Sequence, residues 1–271
     1  MPEERKKKHW DLFISFLLLY TSIFVPIRVA FIDETSDFLL FWETLIDTFF
    51  ITDIVLTFFT AFKKQGNQLE TRATKIAKHY LKGWFWIDLI SSFPFQLVEK
   101  EILNGSTNNV KLTRIVRIPR IYRIVRVFRL LKLVKKSRKK GVLRLWLQDF
   151  LSITNSNSSL VVLAATVLGM THMVACFFFL QAKWLDFPAD SWVALEGHLA
   201  ADSDFQYDVA FYWALQTLTT VGFGDVTTKS VNERIFAIVW MIVGIAFYSY
   251  VIGNISNMIA NSDAQNSHLN H

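Results

Sequence analysis

Apolar runs of membrane-crossing length alternate along this chain with short charged stretches. A hydrocarbon core of about 30 Å takes roughly 20 apolar residues in a helix, and runs near that length fall at residues 10–32, 40–62, 83–99, 158–182 and 233–260. A sixth run, residues 110–136, is apolar between its charges but carries a basic residue at every third position. The pattern predicts an all-α membrane protein with six transmembrane helices. Between the last two lies a shorter helical stretch, then a string too rich in glycine and threonine to continue it, residues 219–225. That part predicts a re-entrant pore helix followed by non-helical backbone.

Composition supports this. The chain has 271 residues, 52% hydrophobic and 15% aromatic, with mean hydropathy +0.30, more apolar than most soluble domains. Basic residues cluster in three places: Arg5 to Lys8; then Lys63, Lys64, Arg72, Lys75, Lys78 and Lys82; then residues 135–140. Acidic loops alternate with them, at Asp33, Glu34 and Asp37, at Glu99 and Glu101, and from Asp186 to Asp208. Cytoplasmic loops carry the Lys/Arg excess, so both termini are expected on the cytoplasmic side of a multi-pass protein, with the plasma membrane as its expected site. The net charge of +6 sits at membrane edges and in one helix, which argues against nucleic acid as a partner. Lys135, Lys136, Arg138, Lys139 and Lys140 instead suit anionic inner-leaflet lipid, at about 1 kcal/mol for each charge near such a surface; serving only as a topology determinant is the alternative. The single Cys176 offers no intrachain disulfide, and no metal-ligand spacing or nucleophile–base pair appears. No enzyme activity and no cofactor are expected.

The string Thr219-Thr220-Val221-Gly222-Phe223-Gly224-Asp225 carries the most specific chemistry. Gly222 and Gly224 can reach positive φ, so successive carbonyls can point one way and replace the water around a cation. Thr220 can add its hydroxyl as well as its carbonyl, Val221 and Phe223 can pack outward, and Asp225 can place charge at the outer mouth. Potassium is the permeant ion expected there. Non-helical backbone at membrane depth needs a cavity-lining reason of this kind; a re-entrant turn without ions is the plainer alternative.

Lys111, Arg114, Arg117, Arg120, Arg123, Arg126, Arg129, Lys132 and Lys135 form the triplet series. From Arg114 to Lys135 is roughly 31 Å of α-helix, the thickness of a membrane core. Charge there is costly, and the purpose that fits is response to voltage, at about 2.3 kcal/mol per charge per 100 mV. A basic helix lying on the membrane or on nucleic acid would not need the strict triplet. Acidic partners are expected in the neighbouring spans: Asp47 and Asp53 around Phe50 in the second, and Asp88 in the third. They can pair in turn with passing arginines while Phe50 plugs the water path; a fixed salt bridge is the alternative. Pro119 predicts a bend or 3₁₀ segment in the arginine helix.

Together these motifs resemble the voltage-gated-like channels that carry a cyclic-nucleotide-binding domain: the ether-à-go-go, hyperpolarisation-activated, cyclic-nucleotide-gated and plant inward-rectifier channels. The likeness covers residues 10–271. Its markers are Trp10, Tyr20 and Pro26; Asp47, Phe50, Asp53, Phe59 and Thr60; Tyr80, Trp84 and Asp88; His172 and Cys176; and residues 251–256. The resemblance implies a homotetramer around one pore, with the short connection 137–141 giving non-swapped packing. It divides the chain into a cytoplasmic segment (1–9), a voltage-sensor domain (10–136), that linker, a pore domain (142–261) and the start of a C-linker (262–271). Helix five is expected to begin as early as residue 142, with an interruption around 155–159. Helix six is expected to line the inner pore, with Gly244 or Gly253 as hinges and a gate near Ile252 and Ile259, although such glycines equally serve close packing.

The expected function is a potassium-selective, voltage-responsive channel. Modulation by cyclic nucleotide would act through a C-terminal domain that these residues do not include. A weakly selective cation channel is the nearest rival, and a voltage-sensor-coupled enzyme the remote one. Phe223, where tyrosine is commoner, lacks a hydroxyl that could bond to an aromatic cuff of Tyr212 and Trp213, which predicts a less firmly held filter; simple aromatic packing is the alternative.

Overall fold

The computed structural model describes residues 2–32, 36–63, 69–92 and 155–269. Two contact-defined units divide the chain: Met1–Val25 with Glu34–Leu143, and Pro26–Asp33 with Arg144–His271. The division cuts the first helix, α1 (Pro2–Phe31), at Pro26.

In the first unit, α1 packs beside α2 (Asp37–Phe58). Ser36 starts α2 in extended backbone, its Oγ accepting the Leu39 N–H at 3.3 Å, one of the donors a helix start otherwise leaves unmatched. Thr44, Thr48, Thr52 and Thr57 each return their hydroxyl to the carbonyl four residues earlier at 2.8 Å. This satisfies them in apolar surroundings. A two-residue hairpin follows, β1 (Phe62–Lys63) antiparallel to β2 (Leu69–Glu70) with Phe62 opposite Glu70. Then come α3 (Ala73–Lys82) and α4 (Phe85–Ser92).

The basic stretch read as a cytoplasmic loop is therefore helical over α3. Ile76 and Tyr80, four apart, are buried, while Lys75, Lys78, His79 and Lys82 fall at the i, i+3, i+4, i+7 spacing of one exposed face. A short amphipathic segment with few apolar residues reads as a loop until a packing surface orders it.

The second unit holds α5 (Asn155–Trp184), a one-turn α6 (Trp192–Leu195), a 3₁₀ turn (His198–Ala200), α7 (Ser203–Leu218) and α8 (Val231–Leu269). Its core is a stack of rings. Phe178 lies parallel to Trp213 at 3.7 Å and to Trp192 at 5.0 Å, with Phe236 beyond at 6.3 Å. Aromatic pairs of this kind add about 0.5–1.5 kcal/mol each beyond the area they bury. The end of α1 belongs to this core: Phe31 stacks on Phe179 at 4.2 Å, and its last carbonyls accept from Lys183 Nζ (2.7 Å, at Ala30) and Ser203 Oγ (2.9 Å, at Phe31).

Three described helices are long and apolar enough to cross a membrane, over Lys7–Phe31, Leu163–Trp184 and Val231–Asn257. Acids at 37, 43, 47 and 53 keep α2 out of that set by composition. Residues 155–159, where an interruption was expected, are helical at the start of the described part of α5, and α8 continues through Gly244, Gly253 and residues 262–269.

Candidate functional sites: a carbonyl-lined strand and a set of held carboxylates

The string 219–225 leaves the C-terminal end of α7. Thr220, Gly222 and Gly224 have φ of +62°, +58° and +76°, and Val221 and Phe223 between them do not share that region. Alternation of this kind turns every peptide the same way. The N–H groups accordingly face back to α7: Thr219 donates to Leu215 O (2.9 Å), Thr220 to Thr217 O (3.2 Å), and Val221 and Gly222 to Gln216 O (3.0 and 3.3 Å). Phe223 N–H donates to the Gln216 side-chain Oε1 at 2.8 Å. Five successive donors on one side leave the carbonyls for the other, the condition for a row of oxygen ligands. Threonine at positive φ costs about 1–2 kcal/mol, and non-glycine strain of this kind clusters at functional sites. At Gly222 and Gly224 an added Cβ would meet nothing within 4 Å in this chain; the requirement there is conformational.

Asp225 is held. Its carboxylate accepts from Tyr212 Oη at 2.6 Å, from Gln216 Nε2 at 2.9 Å and from the Val226 N–H at 3.0 Å. Gln216, buried in α7, thus ties two points of the string with one amide, accepting from Phe223 and donating to Asp225. Its role was not foreseen, because a lone glutamine in an amphipathic helix carries no signal by itself. Tyr212 also lies parallel to Phe223 at 6.5 Å. Trp213, expected beside it in an aromatic cuff, instead belongs to the Phe178 stack. On a helix, consecutive residues face about 100° apart, so one can reach the string and the other the core.

Around the string, α7 is fastened from both sides. His172 Nδ1 meets the Tyr207 hydroxyl at 2.9 Å, and Trp240 Nε1 donates to Ala214 O at 3.3 Å. At Gly244, on the face of α8 beside the end of α7, an added Cβ would lie 3.7 Å from Leu218 Cα, an ordinary contact distance. Gly253 has open space around it, and Ile252 and Ile259 are exposed on α8. Beyond the string, buried Glu233 accepts the Trp192 backbone N–H at 3.0 and 3.3 Å, and Ser230 Oγ accepts the Glu233 N–H to begin α8.

In the first unit, Phe50 is 1% exposed and sits in a cluster with Ile14, Leu17, Leu18 and Ile46. Asp47, one turn earlier, is equally buried, as is Asp88. Asp53 Oδ1 accepts from Trp10 Nε1 at 3.0 Å, and Asp88 Oδ2 from the Tyr80 hydroxyl at 2.6 Å. Phe58 and Phe85 pack edge-on against Tyr80 at 5.0 and 5.7 Å. The structure thus brings Asp47, Phe50, Asp53 and Asp88 into one unit, the acids drawn from the mainly apolar helices α2 and α4. Arg114, Arg117, Arg120, Arg123, Arg126, Arg129 and Lys132, with the 137–141 linker, lie outside the described residues.

A family model described as ion transport protein matches residues 7–267. The chain belongs to the ion transport protein family. Among curated relatives, the potassium channel AKT2/3 of Arabidopsis thaliana is 28% identical over 95% of this chain and 31% of its own length. The potassium channel KAT1 of Oryza sativa subsp. japonica is 28% identical over 97% of this chain and 35% of its own, and KAT2 of the same rice 27% over 95% and 41%. The chain therefore spans about a third of the length of such relatives.

Proposed function

We propose that this chain is the membrane part of a potassium-selective, voltage-responsive channel and not of an enzyme. One observation carries the reading: the alternation of positive φ at Thr220, Gly222 and Gly224 with the N–H groups of residues 219–223 all engaged toward α7. Carbonyls so arranged replace the hydration shell of a dehydrated monovalent cation. The curated relatives named as potassium channels support potassium as that ion.

One chain supplies a quarter of such a ring. Val221 and Phe223, together with Ile238, Ile242 and Ile245 along α8, are exposed in the single chain, apolar surface that further copies and lipid would cover. A homotetramer in the plasma membrane, with both termini cytoplasmic and each sensor beside its own pore, is the assembly we assign. Residues 10–136 serve as the sensor, 137–141 as the linker, 142–261 as the pore and 262–271 as the start of a C-linker. Arg114 to Lys132 move against Asp47, Asp53 and Asp88, with Phe50 as the plug, and the inner gate lies near Ile252 and Ile259. Anionic inner-leaflet lipids meet the 135–140 cluster and the exposed cations of α3.

The test is the reversal potential of the full-length protein in opposed potassium and sodium gradients. Reversal near the potassium equilibrium potential is expected. Reversal near zero under those gradients assigns a weakly selective cation channel instead, and no current from surface-expressed protein overturns both.

A further inference from the structure

Among the described residues, Glu233 is the one buried acid outside both proposed sites. It is the third residue of α8, and its carboxyl oxygens accept the backbone N–H of Trp192, 41 residues away, at 3.0 and 3.3 Å. Ser230 Oγ accepts the Glu233 N–H at 3.3 Å, which gives residues 230–233 the Ser-x-x-Glu arrangement of a self-capping helix start. A cap needs only its own helix. This carboxyl also reaches a second segment, and either of its protonation forms supplies the acceptor.

Trp192 opens the one-turn α6, where an N–H has no acceptor within the helix. Its ring is buried parallel to Phe178, the centre of the stack that takes in Trp213 of α7 and Phe236 of α8. Its indole Nε1 is buried with no hydrogen-bond partner among the described residues, so among those residues Glu233 is its polar hold from outside α6. Phe236 stands three residues beyond Glu233, on the same face of α8.

The string 219–225 leaves α7 and, five residues later, enters α8. Both helices send a ring into the one stack that Glu233 latches. On α7 that ring, Trp213, is next to Tyr212 and three residues before Gln216, the two side chains that brace the string. Backbone at three positive φ angles persists only where its surroundings over-determine it. The latch meets that need, because moving α6 away from α8 leaves the buried Trp192 N–H without an acceptor, and that is costly.

We propose that Glu233 is a positioning residue of the pore: by latching Trp192 it fixes the spacing of α7 and α8 and so keeps the string in its ion-binding form. It acts through Trp192 and the ring stack and touches no ion, a role that rests on the channel reading above.

The experiment records potassium current from the full-length protein through prolonged voltage steps. Glu233→Met keeps the bulk and loses the acceptor. Its current is expected to decay about tenfold faster than wild type, the size of one buried hydrogen bond whose partner is left behind. Raised external potassium is expected to slow that decay, because bound ion favours the string that holds it. Glu233→Gln retains an acceptor and is expected to stay close to wild type. Replacing the Trp192 backbone N–H by an ester oxygen, through the α-hydroxy acid of tryptophan, removes the donor and leaves every side chain in place. The ester is expected to reproduce the Met variant and to add little to it, since partners in contact are not additive. Decay at the wild-type rate in both overturns the inference, and where Glu233→Met fails to reach the surface the ester alone decides.

Thermal unfolding of the purified protein needs no current. Potassium is expected to raise the midpoint of wild type, and Glu233→Met to need about ten times more potassium for the same rise, since a smaller fraction holds the string in its ion-binding form. A midpoint lowered equally at every potassium concentration marks a merely structural role and overturns the inference. Wild-type current that reverses near zero in opposed gradients overturns potassium selectivity, the reading on which this rests.

Discussion

On the function proposed above, the 219–225 string and the acids around Phe50 handle charge in opposite ways. In the string the backbone would be the working part: carbonyls are turned outward by three positive φ angles, while the side chains of Gln216, Tyr212 and Asp225 brace it. In the first unit the side chains would be the working part, carried by the backbone of α1, α2, α3 and α4. A site made of backbone has to be strained to exist, and a site made of carboxylates has to be desolvated. Both use neutral donors to hold an acid in place. Asp225 is held by a phenol and an amide, Asp53 by an indole and Asp88 by a phenol. The difference lies in exposure: Asp225 stays near solvent, whereas Asp88 is buried.

The sharpest way to break this contrast is Gly222→Ala. A side chain at φ +58° costs about 1–2 kcal/mol in each copy, and selective potassium current is expected to vanish from protein that still reaches the membrane. Retained selectivity, read from the reversal potential, would mean that the backbone is not the working part. Next in size is Gln216→Glu. A carboxyl can donate to Asp225 only while it is protonated, so current is expected to decay faster than wild type at neutral pH and to recover on acidification. Gln216→Leu is expected to show the defect without the recovery; identical pH profiles for the two would refute the amide bridge.

On the sensor side, Asp53→Asn removes one charge and weakens one hydrogen bond, worth about 1.5–3 kcal/mol for a charged group. Its voltage dependence is expected to move while ion selectivity stays as in wild type; a conductance–voltage curve unchanged from wild type would remove Asp53 from the sensor. Smaller still is Tyr212→Phe, which takes one of three hydrogen bonds from an exposed acid. Outer-mouth closing is expected to quicken less than in Gln216→Glu, as measured in prolonged voltage steps. Ser36→Ala serves as the control outside both sites. Losing that helix cap is expected to lower thermal stability by about 0.5–2 kcal/mol without altering selectivity.

Much of this was legible in the chain. Long apolar runs marked α1, α5 and α8 because a hydrocarbon slab leaves few other arrangements for a polar backbone. Gly222 and Gly224 were legible because glycine is the residue that reaches positive φ without strain. Thr220 was singled out for its oxygens, yet its own positive φ gives no sign in its identity. Gln216 and Trp10 were illegible as partners, since their bonds run to residues 7, 9 and 43 positions away and depend on how helices rotate. The helical character of α3 was hidden for a related reason: Ile76 and Tyr80 define a buried face only once α2 and α4 are beside them.

By itself the sequence determined the class of the molecule, the residues that form the string and the acids that lie in apolar helices, because local composition and spacing decide what a membrane tolerates. Only the tertiary structure decided which donor meets which acid, that Trp213 faces the core while Tyr212 faces the string, and that Gly244 sits against Leu218. Those outcomes depend on helix rotation and packing, where a change of about 100° from one residue to the next exchanges a core contact for a functional one.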